Sequence, residues 1–220
     1  MTPNGVREQL ADLIERLITT SISVKQFSPS VRTVSGGEIL IGRRVSTAIA
    51  LRDVSYNVVY SELDVNEAYD IKLVDGGLLI FQYRFGVDEK LLQHRLAYFP
   101  SPELPTVDEA PELYEQDSLY GDIVDRRLVR FPIRFDYAPH QRADLIHPSS
   151  HLTLGQYENC RIPVVGPLTP NAFCMFIIRN FYNRAYTKNK NCFDRKFTHL
   201  EKIESITSSE RRLSHFVYGR

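Results

Sequence analysis

A run of aliphatic and aromatic residues from position 69 to position 99, broken twice by turns that contain glycine, constrains the fold of this chain more than any other feature. The three segments beside these turns are 69–74, 78–85 and 91–99. Short glycine-containing turns favour β-hairpins between segments of this composition. The pattern therefore predicts three antiparallel strands in a meander, and the rest of the chain must extend this sheet or cover it.

Alternating apolar residues and β-branched residues predict further strands elsewhere in the chain. These strands are expected at 31–34 and 38–41 as a hairpin around a Gly-Gly turn, at 55–63, at 128–137, and at 151–154 or 161–165. Pro132 suggests an edge or a bulge in the strand 128–137. Residues 43–53 fit a helix or a strand equally well.

Helical periodicity predicts helices at both ends of the chain. Residues 5–20 place their apolar side chains on one stripe. Thr169 and Pro170 form a favourable helix start, with threonine as N-cap and proline in the first turn. A weaker repeat predicts a last helix from about Phe197 to Val217. We therefore predict an α+β fold: a largely antiparallel sheet of five to eight strands, covered by the N-terminal helix and two C-terminal helices.

The length of 220 residues favours a single domain, 1–220. Residues 100–117 contain four prolines and six acidic residues but no basic one. This composition disfavours regular secondary structure and predicts a long acidic loop.

The charge balance excludes a protein whose overall field attracts nucleic acid or an anionic membrane, because 27 basic residues cancel 27 acidic ones. No apolar run is long enough to span a bilayer, and the N-terminus lacks a signal pattern, so a cytoplasmic location without membrane contact is expected. Three well-separated cysteines predict reduced thiols rather than disulfides.

The segment from Arg130 to Val164 contains the strongest candidate chemistry, since half of the six histidines lie there. Period-two alternation in the predicted strand places Arg130, Arg134 and Asp136 on one face. Guanidinium groups match phosphate oxygens, so this face could bind an anion. An ordinary solvated ion pair between Arg134 and Asp136 explains the same pattern equally well.

The histidines His140, His147 and His151 admit three interpretations. Together with Asp136 or Asp144 they could bind a divalent metal such as Zn²⁺, Mn²⁺ or Fe²⁺, although the spacing matches no established metal motif. Without a metal, two imidazoles could act as base and acid in RNA cleavage, with the guanidinium of Arg134 stabilising the phosphorane. In the third interpretation the histidines only hold an irregular turn in place.

A second candidate surface lies near the C-terminus, where residues 179–196 carry six basic residues against one acidic, interleaved with aromatic ones. This mixture suits phosphate contact and base stacking. A solvated helix end explains it as well. The acidic loop could mask this surface, or both could bind a protein partner. The candidate nucleic-acid-binding residues are Arg130, Arg179, Arg184, Tyr186, Lys188 and Lys190.

The motifs RFDYAPH, HPSSHLTLG, NCRIPV and PLTPNAFCMFIIRNFY resemble an uncharacterised bacterial family of about this length, known as a domain of unknown function and found among mobile and defence genes. The resemblance covers most of the chain and is strongest from 130 to 182. It implies a role in a defence or mobile-element module, with a protein partner encoded nearby.

The arginine-aspartate strand and the histidine turn also resemble the TumE family of small toxin proteins. That family places an R-x-D segment before alanine-proline-histidine and a histidine pair. The residues at the matching positions are Arg134, Asp136, His140, His147 and His151. This chain departs from the family in its greater length and in Tyr137, where the small toxins tend to have asparagine.

These observations predict a component of a bacterial toxin-antitoxin or anti-phage module that acts on nucleic acid as a ribonuclease-like effector. In the alternative, the chain is a non-catalytic subunit that binds and regulates a partner enzyme of a defence complex. No cofactor follows from the sequence, and a divalent metal is possible but not required.

Overall fold

The computed structural model describes residues 1–34, 36–43, 54–117, 123, 129–157 and 159–218. Within these residues nine strands form one antiparallel sheet, one strand more than the predicted maximum. The strands are β1 (Ser23–Gln26), β2 (Val31–Thr33), β3 (Ile39–Ile41), β4 (Ile71–Leu73), β5 (Leu78–Phe85), β6 (Leu91–Phe99), β7 (Ile133–Tyr137), β8 (Ser150–Leu154) and β9 (Ile162–Pro163).

The helices of the described residues lie before, between and after these strands. They are α1 (Pro3–Thr19), α2 (Tyr56–Val65), α3 (Pro111–Gln116), α4 (Pro170–Phe181), α5 (Asn183–Lys188) and α6 (Lys190–Phe193). The α+β class is thus confirmed. The chain connects a long N-terminal helix, the sheet and a group of C-terminal helices in that order.

The strands follow the order β1-β4-β5-β6-β7-β8-β9, and the β2–β3 hairpin joins at one side. Strand β5 shares its outer edge between two partners: β4 pairs with Leu78 and Leu79, whereas β3 pairs with Tyr83 to Phe85. The predicted meander is confirmed as β4–β5–β6, and the predicted Gly-Gly hairpin as β2–β3.

One face of the sheet, the first face, is covered by helices α1 and α4. Period-two alternation sends Phe81, Leu96 and Phe135 to this face. Phe173 of α4 packs edge-on against both Phe81 and Phe135, with ring centroids 5.5 and 6.0 Å away. Helix α4 begins as predicted, since the Thr169 hydroxyl accepts a hydrogen bond from the backbone N–H of Ala172 at 3.1 Å.

The opposite or second face is covered by α2 only where the β5 and β6 side chains are apolar. Val59, Tyr60 and Leu63 pack there against Leu78 and Ile80, together with Ala97 and Phe99. The strand predicted at 55–63 was therefore wrong, because the same apolar residues also recur at helical spacing. Beyond Ile80 and Ala97 this face carries polar side chains from β5 to β8.

The helix predicted from Phe197 to Val217 was also wrong. The segment is irregular except for a short 3₁₀ turn at Glu210–Arg212. Its backbone hydrogen-bonds to the chain around β9: the N–H of Ser205 donates to the Val165 carbonyl, and the N–H of Phe216 donates to the Pro163 carbonyl. These partners satisfy backbone groups that a helix would have paired internally.

Three further boundaries differ from the predictions. The acidic loop at 100–117 contains the short helix α3, which Pro111 can begin because proline lacks only an N–H that the first turn leaves unpaired. Both candidate strands after position 150 form, as β8 and β9. Strand β1 was not predicted, and residues 44–53 of the ambiguous segment 43–53 lie outside the described residues.

A buried histidine links the sheet to the start of α4. His94 Nε2 accepts a hydrogen bond from the backbone N–H of Leu168 at 3.0 Å, and its ring lies between Tyr83 and Tyr137. Burial lowers the pKa of His94 from 6.5 to about 4. The folded protein therefore holds this imidazole neutral, while the unfolded chain binds a proton as the pH falls below 6.5.

His94→Gln, which keeps an acceptor for Leu168, is expected to remove this pH dependence. As the pH falls from 6.5 to 4, wild type should lose about 3 kcal/mol relative to the variant, since one pKa unit corresponds to about 1.4 kcal/mol. Burial raises the pKa of the Asp70 carboxyl to about 6, so protonation of Asp70 stabilises the folded state as the pH falls. This contribution is present in wild type and variant alike and cancels in the comparison. Urea unfolding of both across this range measures the difference; parallel curves would contradict the assignment.

Candidate functional site

The polar part of the second face is centred on Asp136, which is bound by two arginines. Strand β7 carries Arg134 and Asp136 two residues apart, and Arg95 on β6 lies directly opposite Asp136. Arg95 Nε donates to Asp136 Oδ1 at 2.8 Å, and Arg134 Nε donates to Oδ2 at 2.6 Å. All three side chains are less than one-fifth exposed. This group is therefore not the ordinary solvated ion pair that the sequence left open.

The two arginines decide the charge of this carboxyl group. Burial tends to raise the pKa of Asp136, but the positive charges of Arg134 and Arg95 outweigh burial and hold the pKa below its usual value. The group is ionised at neutral pH. Two guanidinium groups and one carboxylate leave this part of the face with a net positive charge.

His151 lies next to this carboxylate, because β8 pairs with β7 so that His151 is opposite Asp136. Its Nδ1–H donates to the Pro148 carbonyl at 3.1 Å, since a carbonyl can only accept. The neutral ring then carries no proton on Nε2, which lies 3.8 Å from Asp136 Oδ2. His147 packs edge-on against His151 with ring centroids 4.8 Å apart.

The pair differs in exposure. His151 is buried, whereas His147 is half-buried. Burial lowers the pKa of both imidazoles; the charge of Arg161 lowers the pKa of His147 further, and Asp136 partly offsets the effect on His151. Both rings are therefore neutral at neutral pH, and a proton on one disfavours a proton on the other. We call Arg95, Arg134, Asp136, His147 and His151 the Asp136 cluster.

A tight turn holds His147 in this position. The N–H of Ala143 donates to the His147 carbonyl, and the N–H of His147 donates to the Ala143 carbonyl. Leu145 at the tip has a φ of +62°, a conformation that side chains with a Cβ rarely adopt. Leu145 and Ile146 are 51% and 73% exposed, so the turn presents two apolar side chains beside the cluster.

The other predicted site residues of this segment lie outside the cluster. His140 is exposed in a 3₁₀ turn, Pro139–Gln141, and its charge reaches His147, whose pKa it lowers slightly. Arg130 precedes β7 and forms an ion pair with Glu109 at 3.0 Å. The prediction that Arg130 shares the strand face with Arg134 was therefore wrong, because the strand begins only at Ile133.

The basic segment 179–196 is associated with the first face, where α4 packs. Arg179 lies over the ring of Tyr186, 5.4 Å from its centroid, and the Tyr186 hydroxyl donates to Asp194. Lys188 and Lys190 are exposed, and Arg184 is half-buried. Helix α4 packs on the first face, whereas strand pairing places His151 on the second face, opposite Asp136. The structure therefore does not bring the two predicted nucleic-acid surfaces together.

The cluster lacks the geometry of a metal site. In the described part of the chain, no three His, Cys, Asp or Glu side chains are grouped so that they could hold a metal ion. Both oxygens of Asp136 already accept hydrogen bonds from arginine.

Sequence reasoning missed Arg95, which lies 41 positions before Asp136. A signal was present in β6, where Gln93 and Arg95 lie two residues apart between Leu92 and Leu96, a spacing that places both on one face of a strand. Only the pairing of β6 with β7 shows that this face is shared with Asp136.

A model of an uncharacterised conserved protein family, DUF2290, matches residues 22–218 of the chain. The chain belongs to this family. The match confirms the predicted membership in an uncharacterised family and includes every residue of the Asp136 cluster. No curated protein and no solved structure matches the chain. Among the described residues of this DUF2290 protein, no helix has the length and apolar character needed to cross a membrane.

Asp136→Asn is expected to destabilise the protein by about 3 kcal/mol, because it leaves two largely buried guanidinium groups without their carboxylate. Asp88→Asn is the matched control, since the ion pair of Asp88 with Lys90 is exposed. Chemical denaturation measures both free energies of unfolding. Equal, negligible effects of the two substitutions would contradict the structural role of Asp136.

Proposed function

We propose that this protein is a ribonuclease-like effector of a bacterial toxin-antitoxin or anti-phage module, and that it cleaves single-stranded RNA at the Asp136 cluster. The observation that supports the proposal best is the close packing of His147 and His151 beside a carboxylate bound by two arginines. The cluster lies on the part of the second face that α2 leaves polar. Metal-free cleavage of a phosphodiester can use a neutral imidazole as base, a protonated imidazole as acid and guanidinium groups that stabilise the developing negative charge.

The difference in exposure assigns the roles. His147 is half-buried and neutral at neutral pH, so it accepts the proton of the attacking 2′-hydroxyl. His151 is buried and acts as a positioning residue that holds the His147 ring. We assign the exposed His140, in the 3₁₀ turn before the histidine pair, as the acid that enters protonated and donates its proton to the leaving 5′-oxygen. The products are a 2′,3′-cyclic phosphate and a free 5′-hydroxyl.

The arginines stabilise the charge that develops on the phosphorane. Asp136 engages only the Nε–H of Arg95 and of Arg134. The terminal NH₂ groups of both form no hydrogen bond to the described residues and can therefore donate to phosphate oxygens. Because Asp136 fixes both side chains, little reorganisation is needed when substrate binds.

His147→Ala is expected to reduce cleavage of a labelled single-stranded RNA by at least about 100-fold, the usual effect of removing a general base. Gel analysis of the products should show cyclic-phosphate ends, formed equally well with EDTA present. The rate should follow a bell-shaped pH profile whose apparent pKa values belong to the coupled histidines.

The matched control is His199→Ala, because His199 is exposed and outside the cluster. His199→Ala should cleave like wild type. Cleavage that survives His147→Ala would rule out the catalytic assignment, and loss of activity in EDTA would rule out the metal-free mechanism.

The exposed turn at Leu145 and Ile146 favours a second candidate, a non-catalytic subunit that binds a partner enzyme of a defence complex. Two adjacent apolar side chains at 51% and 73% exposure are suited to burial in a protein interface. The cluster would then hold the turn in shape for the partner.

For this alternative we expect the tagged chain to co-purify with the product of a neighbouring gene, and Leu145→Asp/Ile146→Asp to abolish the association. Val87→Asp is the control, since Val87 is also an exposed apolar residue in a turn but lies between β5 and β6. Mass spectrometry of the purified material gives the result. A partner retained by the double variant would contradict the assigned interface.

A further inference from the structure

A cavity of about 170 Å³ opens on the second face beside the Asp136 cluster. It lies between the β2–β3 hairpin and strands β5 and β6, and its polar lining consists of four arginines and two glutamines: Arg32, Arg43, Arg84, Arg95, Gln82 and Gln93. We call it the arginine cavity.

The charges around the cavity do not balance. Arg84 is bound by Glu38 through two hydrogen bonds of 2.7 and 2.9 Å, and Arg95 is bound by Asp136. Arg32, in contrast, forms no ion pair with a carboxylate of the described residues, whereas the charge of Arg43 acts on the nearby carboxyl groups of Glu67 and Asp70 and acts to lower their pKa values. Among the described residues, the guanidinium of Arg32 is therefore a positive charge without a paired carboxylate in a partly enclosed space, where an anion is stabilised more than in bulk water.

The side chain of Arg43 is held in place from outside the cavity. Its Nε–H donates to the Glu67 carbonyl at 3.0 Å, and its guanidinium stacks over the ring of Phe27, 3.8 Å from the centroid. The Gln82 amide donates to the Arg43 carbonyl at 3.1 Å. Such fixed guanidinium groups bind tetrahedral oxyanions at low entropic cost.

The cavity and the Asp136 cluster belong to one row of side chains across the sheet. Gln82, Arg95, Asp136 and His151 lie opposite one another on β5, β6, β7 and β8. At a strand spacing of about 4.8 Å, Gln82 and His151 are roughly 14 Å apart. A single phosphate cannot reach both sites, whereas an extended strand with several phosphates can.

We propose that the arginine cavity binds a phosphate group of single-stranded nucleic acid, at a position separate from the bond that faces His147. Arg32 supplies the unpaired charge, Arg43 adds a fixed guanidinium group, and Gln82 and Gln93 supply amide groups. The identity of the ligand rests on the proposed function, but binding at the cavity does not require cleavage. A strand held here and at the cluster runs across β5 to β8 on the second face.

The test measures binding of a short fluorescein-labelled 2′-fluoro RNA by fluorescence anisotropy. This probe lacks the 2′-hydroxyl that the proposed cleavage needs, so its binding can be measured independently of catalysis. Arg32→Glu and Gln93→Glu should each weaken binding about tenfold or more, and Arg32→Glu should lower the slope of log affinity against log salt by about 1. Arg7→Glu, on helix α1 at the first face, should bind like wild type, and circular dichroism should show that all variants are folded.

Inorganic phosphate, titrated by calorimetry, separates a polynucleotide from a free anion. Competition of phosphate with the RNA in wild type but not in Arg32→Glu supports the proposal. Phosphate binding that depends on Arg32, combined with RNA binding that does not, overturns it in favour of a free phosphate ligand. RNA binding unaffected by both cavity substitutions overturns it outright. If the cavity binds RNA while His147→Ala leaves cleavage unchanged, only the proposed catalytic role fails.

Discussion

The antiparallel register of β5, β6 and β7 determines both the core and the candidate site. On the first face it aligns Phe81, Leu96 and Phe135 under α4; on the second face the next residues along each strand form the row that contains Arg95 and Asp136. A slip of one residue would exchange the two sets and bury charged groups beneath the helix. The same hydrogen-bond ladder therefore stabilises the protein and brings together groups that are distant in sequence.

The polar part of the second face is stable only because its charged groups satisfy one another. A buried carboxylate without a partner costs several kcal/mol, and Asp136 avoids this cost through two arginines from neighbouring strands. The two histidines avoid the cost of a buried charge because burial lowers their pKa values and keeps both rings neutral. The groups of the site are therefore bound to one another before any ligand is present.

Local sequence patterns predicted the parts of the fold that local interactions stabilise. The meander, the Gly-Gly hairpin, the Thr169 cap and α1 all follow from periodicity and turn chemistry, and Arg134, Asp136 and His151 were candidates because they are close in sequence. The errors have tertiary causes. Helix α2 was mistaken for a strand because its apolar residues fit both periods, and the segment after Phe197 pairs with the chain near β9 instead of forming a helix. The role of Arg95 and the whole arginine cavity depend on strand register, which no local pattern contains.

Two surfaces of the protein are rich in basic residues: the segment 179–196 and the polar part of the second face. They differ in how their charged groups are held. The basic segment 179–196 follows α4 on the first face, and its Arg179, Tyr186 and Asp194 are engaged with one another. The second face carries its excess positive charge in a row that runs from Arg32 and Arg43 to Arg134, beside neutral imidazoles. Charged groups that are already held in a fixed geometry favour recognition, because their ordering cost is met in the free protein. We therefore assign the proposed contact with nucleic acid to the polar half of the sheet and not to the more basic C-terminal helices.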